Sequence, residues 1–300
     1  MHPMLKWAPA AGAGLALAAG VASVASANRE FSRLIQTDIA ELLSKASSGS
    51  DGATVVTREM LEPLPEPVRR YLAWTGVLGQ RIPRVIRLRQ RGRMRLARGQ
   101  PWFPLHAVEH YSVRPPGFVW DGTASLGPLH LARARDMYQD GHGHMLVKVA
   151  SRFAVVDARG EEMDQSALVR YLSEMIWFPA AFLRDNVSFE AVDGTSSRVI
   201  LSDQGHTVAA ILRIDGEGRL TGFVAQRYQM VGKNSRLETW STPITGYGEF
   251  EGLRLPTRGK AVFNLADGDL EYIDVTLTEL AYDLPSSEAP LPVLGQGTTR

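Results

Sequence analysis

Residues 84–96 read RVIRLRQRGRMRL, and this stretch decides the fold class. Successive side chains of a β-strand point to opposite faces, so Ile86, Leu88, Met94 and Leu96 share one side of an extended chain. The other side carries five arginines, Arg87, Arg89, Arg91, Arg93 and Arg95. This period of two predicts a long strand with one buried face and one outward face.

The same alternating pattern continues along the chain. It recurs at residues 105–113, 117–125, 129–138, 145–149, 187–192, 198–202, 208–214, 220–230, 236–240, 259–265 and 272–280. Asp-Gly dipeptides at 140–141, 193–194, 215–216 and 267–268 separate several of these runs and are typical of hairpin turns. Strands so close together, without helices between them, pair as hairpins. We therefore predict a mainly β (α+β) fold built as an antiparallel meander.

One helical segment interrupts the strands. Within residues 164–183 the apolar positions follow a helical period, with Asp164 as the N-cap. Pro179 should end or kink this helix just after Phe178. We expect the meander to wrap on this central amphipathic helix, with Leu172 buried against the concave face of the sheet.

Four segments are expected along the chain. Residues 1–27 are a signal peptide or a membrane anchor, because Lys6 precedes an apolar Ala/Gly-rich run and Ala25-Ser26-Ala27 supplies the small residues that a signal peptidase requires. Residues 28–56 form an amphipathic stalk helix and a flexible linker, and residues 57–283 form a single domain that begins with a short helix between Pro65 and Gly76. Residues 284–300 are a disordered tail. A cleaved protein would start at Asn28 and reside in the periplasm or cell envelope, whereas an uncleaved one would be anchored by residues 8–27.

Composition excludes several classes of protein. The formal net charge of +1 argues against a general nucleic-acid binder, which needs a large basic excess. The absence of cysteine excludes disulfides, thiolate metal sites, a cysteine nucleophile and a lipid-modified N-terminal cysteine. The chain contains no Gly-x-Ser-x-Gly elbow, phosphate-binding loop or dinucleotide fingerprint. No cofactor and no catalytic residue are predicted.

Histidine pairs are the only metal-like motifs. His106 and His110 match the inverted zinc-protease string, but they lie in a strand pattern, where residues four apart are separated by roughly 13 Å. We therefore predict that they face one side of a strand and bind no common metal. His142 and His144, with Asp136 or Asp140, could form only a loose site in a glycine-rich turn.

Two groups of residues are candidates for binding. Aromatic and apolar side chains near the end of the central helix, with two on a strand, could line a cavity or simply form core: Phe118, Trp120, Tyr171, Met175, Trp177, Phe178 and Phe182. The five arginines of residues 87–95 could pair with acidic residues of adjoining strands, or could face anionic lipid headgroups or envelope polymers.

Several motifs together resemble an uncharacterised bacterial domain family of unknown function. They are Leu64-Pro65-Glu66-Pro67-Val68-Arg69-Arg70-Tyr71-Leu72, residues 87–93, Pro116-Gly117-Phe118-Val119-Trp120, Val155-Val156-Asp157, Asp164-Gln165 through Tyr171-Leu172 to Trp177-Phe178-Pro179, and Leu255-Pro256-Thr257-Arg258-Gly259. The resemblance covers roughly residues 57–283 and implies no known activity. More distantly, the helix ending in Phe-Pro within a meander is similar to periplasmic lipoprotein carriers and lipid-carrier lipoproteins. That likeness implies an unclosed β half-barrel with an apolar cavity beneath helices.

Three functions remain open at this point. The first is a non-enzymatic envelope protein that binds a lipid or other apolar ligand in a cavity under the sheet. The second is a structural or partner-binding envelope domain with a filled core and no ligand. The third is a hydrolase or metal enzyme, which would require carboxylates or histidines to converge in a cleft. Membrane association through the N-terminal segment is a further expectation, and nucleic acid is not an expected partner.

Overall fold

The computed structural model describes residues 8–47, 54–126, 129–231 and 234–283. Its helices are α1 (Ala8–Ser47), α2 (Arg58–Leu61), α3 (Glu66–Thr75) and α4 (Glu161–Glu174), and 3-10 turns follow α4 at Met175–Trp177 and Pro179–Leu183. The first six strands are β1 (Val85–Met94), β2 (Phe103–Val113), β3 (Pro116–Leu126), β4 (Leu129–Gln139), β5 (His142–Val149) and β6 (Phe153–Ala158). The others are β7 (Val187–Asp193), β8 (Ser196–Asp203), β9 (His206–Ile214), β10 (Leu220–Val231), β11 (Asn234–Ser241), β12 (Ile244–Phe250), β13 (Leu253–Leu265) and β14 (Gly268–Tyr282). The predicted linker at 48–52 and the predicted tail at 284–300 lie outside the described residues, as does Lys6.

The strands form one antiparallel sheet with two meanders. In the described part of the chain the order is β6-β5-β4-β3-β2-β1-β14-β13-β11-β10-β9-β8-β7, and β12 pairs with β13 beside this path. The first meander steps outward from β1 to β6, and the second steps inward from β7 to β14. Pairing of β1 with β14 joins the two halves at the centre, from Ile86 opposite Tyr282 to Met94 opposite Ile273. The path ends at β6 and β7, so the sheet curls without closing. The predicted mainly β, unclosed half-barrel is confirmed.

Helix α4 connects the two meanders and fills the concave side. It contacts β3, β4 and β5 on one wing and β9 and β10 on the other, which requires the sheet to curve around it. Leu168, Tyr171 and Leu172 are fully buried in the core, which confirms the predicted position of this helix. Gly143 of β5 permits close approach, because a Cβ there would lie 2.5 Å from the carbonyl oxygen of Met163.

The ends of α4 differ from the prediction. Gly160, not Asp164, is the N-cap, and Asp164 lies in the first turn. The Asp164 carboxylate instead accepts the backbone N–H of Gly143 at 2.7 Å, and so attaches the helix to β5. The α-helical geometry ends at Glu174, before the expected position after Phe178, because the chain tightens into 3-10 turns on either side of Phe178.

Helix α1 packs on the outer face of the sheet. Phe31, Ile35, Ile39 and Leu42 form a second apolar cluster with strand residues that include Val119. Val119 lies between Phe118 and Trp120, which face the interior, so the cluster is on the opposite side. The stalk interpretation of residues 28–47 is therefore wrong, because the apolar stripe of this helix is buried on its own domain.

Three further details correct the predicted strands. Strands β6 and β12 are absent from the predicted set, and β13 begins at Leu253 rather than at residue 259. Leu96 is exposed rather than buried, because β1 ends at Met94. Arg95 likewise lies just beyond β1. Among the helices that the structure describes, none is both long enough and apolar enough to cross a membrane.

Candidate functional site

The interior of the half-barrel brings together most of the aromatic residues that the sequence identified. Tyr111 of β2 is central, with ring centroids of Phe118, Tyr171 and Phe178 at 6.3, 6.4 and 5.0 Å. All four rings are fully buried. Met175 is buried in the same core, and Trp120 is nearly so. These side chains pack against one another, and their role in holding a ligand stays a prediction.

Two of the candidate side chains lie farther along the interior. Phe182 contacts Tyr71 and Phe189, with ring centroids 6.5 and 6.1 Å away. Trp177 is only partly buried, and its indole N–H donates to the carbonyl oxygen of Pro256 at 3.0 Å. The seven residues therefore divide between the centre of the half-barrel and the end that is covered by α3, β7 and β13.

A buried charge cluster lies beside these aromatics, and the sequence analysis did not identify it. Arg170 of α4 donates to Asp136 at 2.6 Å, to Glu109 at 2.9 Å and to Glu174 at 3.0 Å. Glu109 lies opposite Trp120, and Trp120 lies opposite Asp136, so three adjacent strands direct these side chains to the same face. The one local signal was the i, i+4 pair of Arg170 and Glu174 on a helix whose other side is apolar.

The cluster holds more carboxyl groups than cationic groups. One guanidinium faces three carboxyl groups, and the Tyr111 hydroxyl also faces the carboxyl groups of Glu109 and Glu174. Burial raises the pKa of Glu109 well above its usual value, and Arg170 offsets only part of this effect. Burial also raises the pKa of Glu174. Glu109 and Glu174 therefore retain protons more strongly than exposed glutamates do.

Aromatic rings enclose the guanidinium. The guanidinium carbon of Arg170 lies 4.9 Å from the ring centroid of Phe118 and 5.1 Å from that of Trp120. The Trp120 indole N–H donates to Gln90 of β1 at 3.3 Å, which fixes that ring. Phe118 and Trp120 thus cover Arg170, and this arrangement stabilises the cation inside an apolar core.

A second region lies at the seam between β1 and β14. A half-open groove of about 330 Å³ is lined there by residues that include Arg87, Leu88, Arg89, Phe250, Glu279 and Leu280. Leu88 and Leu280 are buried, whereas Glu279 is exposed. The Arg89 guanidinium lies 3.1 Å from the Glu279 carboxylate. The groove therefore combines apolar lining from Phe250 and Leu280 with a rim of two arginines and one glutamate.

The remaining arginines of residues 87–95 face outward. Arg93 pairs with Asp274 of β14 at 3.0 Å, and the guanidinium groups of Arg93 and Arg95 lie 4.7 and 4.6 Å from the ring centroid of Trp102. Arg91 is exposed, opposite His106 of β2. Of the five arginines, Arg89 and Arg93 therefore have acidic partners on β14. Contact of the five arginines with an anionic ligand stays a prediction.

The histidines do not converge. His106 and His110 lie opposite Arg91 and Arg87 on the same face of β2, as predicted, and burial together with Arg87 lowers the pKa of His110 to about 4. His144 instead pairs with Asp157 at 2.8 Å. Within the described residues, no three acidic or histidine side chains are arranged to hold a metal ion.

The two other residues considered for a loose metal site lie elsewhere. Asp136 belongs to the interior charge cluster, and Asp140 pairs with Lys45 of α1 at 2.5 Å. His142 is exposed and lies 3.5 Å from Asp164.

The fold and its interior together define the class of protein: a mainly β antiparallel half-barrel, unclosed, with one central helix. The chain belongs to DUF6544, a family of unknown function whose model matches residues 54–275. This membership confirms the resemblance that the sequence motifs carried. No curated protein matches the chain in sequence.

Two solved structures are similar to the chain. One is a LolA superfamily protein, NE2245, from Nitrosomonas europaea, with 12% identity and a TM-score of 0.40 over 79% of this chain and 99% of that one. The other is a DUF1329 family protein from Desulfovibrio piger ATCC 29098, with 12% identity and a TM-score of 0.42 over 79% of this chain and 97% of that one. Both similarities are limited to the overall fold.

Proposed function

We propose that this protein is a non-enzymatic binder of a small amphiphile, with an apolar tail and an anionic head, at the β1–β14 seam. The observation that supports this function is the groove itself, where Phe250, Leu280 and Ala281 provide apolar lining and Arg89 lies at the rim. Apolar walls with a few placed polar groups are the usual composition of small-molecule sites.

The size of the groove limits the ligand. Its volume of about 330 Å³ is near the lower end of the range for ligand pockets, so it fits one short acyl chain or a ring system. Each buried methylene contributes about 0.8 kcal/mol. Eight of them supply about 6 kcal/mol, which corresponds to a dissociation constant of about 40 μM before the cost of association is subtracted, so dissociation constants in the millimolar range are expected.

The charge at the rim sets the preference for the head. Arg89 is 19% exposed and already pairs with Glu279, which is 59% exposed. A ligand carboxylate or phosphate would compete with the Glu279 carboxylate for the same guanidinium. Glu279→Gln should therefore tighten binding of decanoate and leave binding of decanol unchanged, whereas Arg89→Gln should weaken decanoate alone.

Isothermal titration with decanoate, decanol and decyltrimethylammonium tests the proposal. We expect decanoate to bind best and the cation worst. Ala281→Trp, which fills the groove from its lining, should abolish binding, while Ala191→Trp on the exposed part of β7 should retain it. Equal binding by the Ala281 variant, or no binding of any of the three compounds to the native chain, contradicts the proposal.

The aromatic interior is the alternative location for the same ligand. Phe118, Tyr171 and Phe178 would have to separate as α4 moves, because they are packed together. Ala180→Trp, in the buried turn after α4, should then block binding while Ala281→Trp does not. Overpacking there costs about 1–3 kcal/mol, so the folded state of the variant must be verified by circular dichroism.

A partner-binding envelope domain without a ligand is the second candidate function. It is supported by the filled interior, in which α4 and the rings around Tyr111 occupy the concave side. This function predicts no co-purified amphiphile in native mass spectrometry.

We further propose that the protein is exported, and Ala25-Ser26-Ala27 after an apolar Ala/Gly-rich run supports this location. N-terminal sequencing of protein from the native host decides between the two forms: a start at Asn28 shows cleavage, and an intact Met1 shows the uncleaved chain that residues 8–27 would anchor.

A further inference from the structure

Exposed apolar side chains gather at one end of the molecule. Val24 of α1, Leu131 of β4, and Phe153 and Val155 of β6 are 42%, 36%, 64% and 59% exposed. These four residues, here called the hairpin patch, account for four of the eleven large hydrophobic side chains that are exposed in the described part of the chain. Single exposed apolar residues are common on protein surfaces, whereas a group of them indicates a surface that binds a partner or a membrane.

Hydrogen bonds join the turn before Phe153 to the two elements that carry Val24 and Leu131. The Arg152 guanidinium lies 5.7 Å from the Phe153 ring centroid and donates to the Ser23 hydroxyl, next to Val24. The Ser151 hydroxyl donates to Asn28 of α1 at 3.0 Å. The N–H of Ala150 donates to the carbonyl oxygen of Leu131 at 3.4 Å. The turn between β5 and β6 is thus attached both to α1 and to β4.

The surroundings of the hairpin patch are basic. Arg152 is exposed beside Phe153, and Arg29 is exposed on the next part of α1. Lys148 of β5 lies 4.9 Å from the Phe31 ring centroid, on the outer face that α1 covers. Glu30 is the acidic residue adjacent to Arg29, and it is also exposed. Helix α1 continues from Val24 toward its apolar, Ala- and Gly-rich beginning at Ala8.

We propose that the hairpin patch rests on the surface of an anionic lipid membrane. Apolar side chains flanked by arginine and lysine insert at the boundary between headgroups and acyl chains, where the cations meet lipid phosphates. Charge complementarity and continuity with the apolar start of α1 favour lipid over a second protein copy. This contact is independent of the groove at the β1–β14 seam.

Co-sedimentation of the full chain with vesicles tests the proposal. Vesicles of phosphatidylcholine containing phosphatidylglycerol should bind the chain, and vesicles of phosphatidylcholine alone should bind it about tenfold more weakly. Phe153→Ser combined with Val155→Ser should reduce binding about tenfold, and Arg152→Glu should reduce it only on the anionic vesicles. The matched control, Val192→Ser with Met230→Ser, removes equally exposed apolar groups from β7 and β10 and should bind as the native chain does.

Fluorescence gives a second measurement at the patch itself. Because the chain has no cysteine, Phe153→Cys can carry a single polarity-sensitive label, with Val192→Cys as the control. The label at 153 should shift to the blue on anionic vesicles, and the label at 192 should not. Unchanged vesicle binding by the Phe153/Val155 variant would show that α1 alone holds the membrane and would overturn the proposal. Concentration-dependent dimerisation that the same variant abolishes would assign the patch to a second copy instead.

Discussion

Replacing Arg170 by methionine should expose the instability of the interior charge cluster. The variant removes the only cation among Glu109, Asp136 and Glu174, each now within 3.0 Å of the guanidinium. Removing one partner of a buried ion pair typically costs about 3–5 kcal/mol. The loss of three hydrogen bonds between charged groups would suggest a larger cost in stability. The cost is limited because the carboxyl groups can take up protons once the guanidinium is gone. We therefore expect a decrease of about 3–5 kcal/mol in the free energy of unfolding near neutral pH.

The size of the loss should depend on pH. The folded-state pKa values of Glu109 and Glu174 are raised above the unfolded value of 4.5, so the folded protein binds more protons than the unfolded chain does. Stability associated with these groups is therefore fully present below pH 4.5 and decreases as pH rises toward the folded-state values. Without Arg170 those values rise further, and the penalty at about pH 8 should exceed the penalty at about pH 5.

Urea unfolding, followed by far-ultraviolet circular dichroism at both pH values, measures the effect. Arg198→Met is the control, since Arg198 and Glu190 form a 3.1 Å pair with both side chains about half exposed, and its loss should stay below about 1 kcal/mol. If Arg170→Met does not fold, Glu109→Gln serves instead, and its stability relative to the native chain should rise between the two pH values. A loss below about 1 kcal/mol for Arg170→Met, with no dependence on pH, would refute this account of the cluster.

Three other changes test separate parts of the molecule. Leu172→Ala, at the fully buried centre of α4, should cost about 2–5 kcal/mol in urea unfolding, and a change below about 0.5 kcal/mol would mean that the helix is peripheral. Ile35→Ala on α1 should cost a similar amount because that side chain is also fully buried, whereas a free stalk would lose almost nothing. The pKa of His110 falls from 6.5 to about 4 on folding, so the native chain should lose stability as pH decreases through that window. His110→Gln should reduce this acid-induced loss of stability by about 3 kcal/mol. If the unfolding free energies of the native chain and the variant change in parallel with pH, the prediction is wrong.

Local patterns predicted those elements whose side chains repeat with a clear period. Ile86 and Leu88 alternate with arginines, and Asp140-Gly141 provides two residues with positive φ at the turn between β4 and β5. The apolar stripe through Leu172 identified α4 for the same reason. Strand β12 gave no such signal, because Gly246 and Gly248 interrupt its alternation. Strand β6 was missed because it is a short edge strand with little burial to produce a pattern.

The charge cluster required contacts between distant parts of the chain. Glu109 and Arg170 are 61 residues apart, and Asp136 and Arg170 are 34 apart. In the sequence Glu109 was notable only as part of a zinc-protease-like string, and Asp136 only as a neighbour of histidines. Neither position has a local feature that distinguishes a buried carboxylate from a solvated one, since burial depends on what lies opposite.

The sequence by itself therefore determined the class of fold, the central helix and the family resemblance, because hydrogen-bonded strands and helices impose periods of two and 3.6 on neighbouring residues. Tertiary structure alone decided the pairing of β1 with β14, the position of α1 on the outer face and the enclosure of Arg170 by Phe118 and Trp120. These are long-range contacts, and their free energy comes from desolvation and charge pairing between segments that meet only after the sheet has curled.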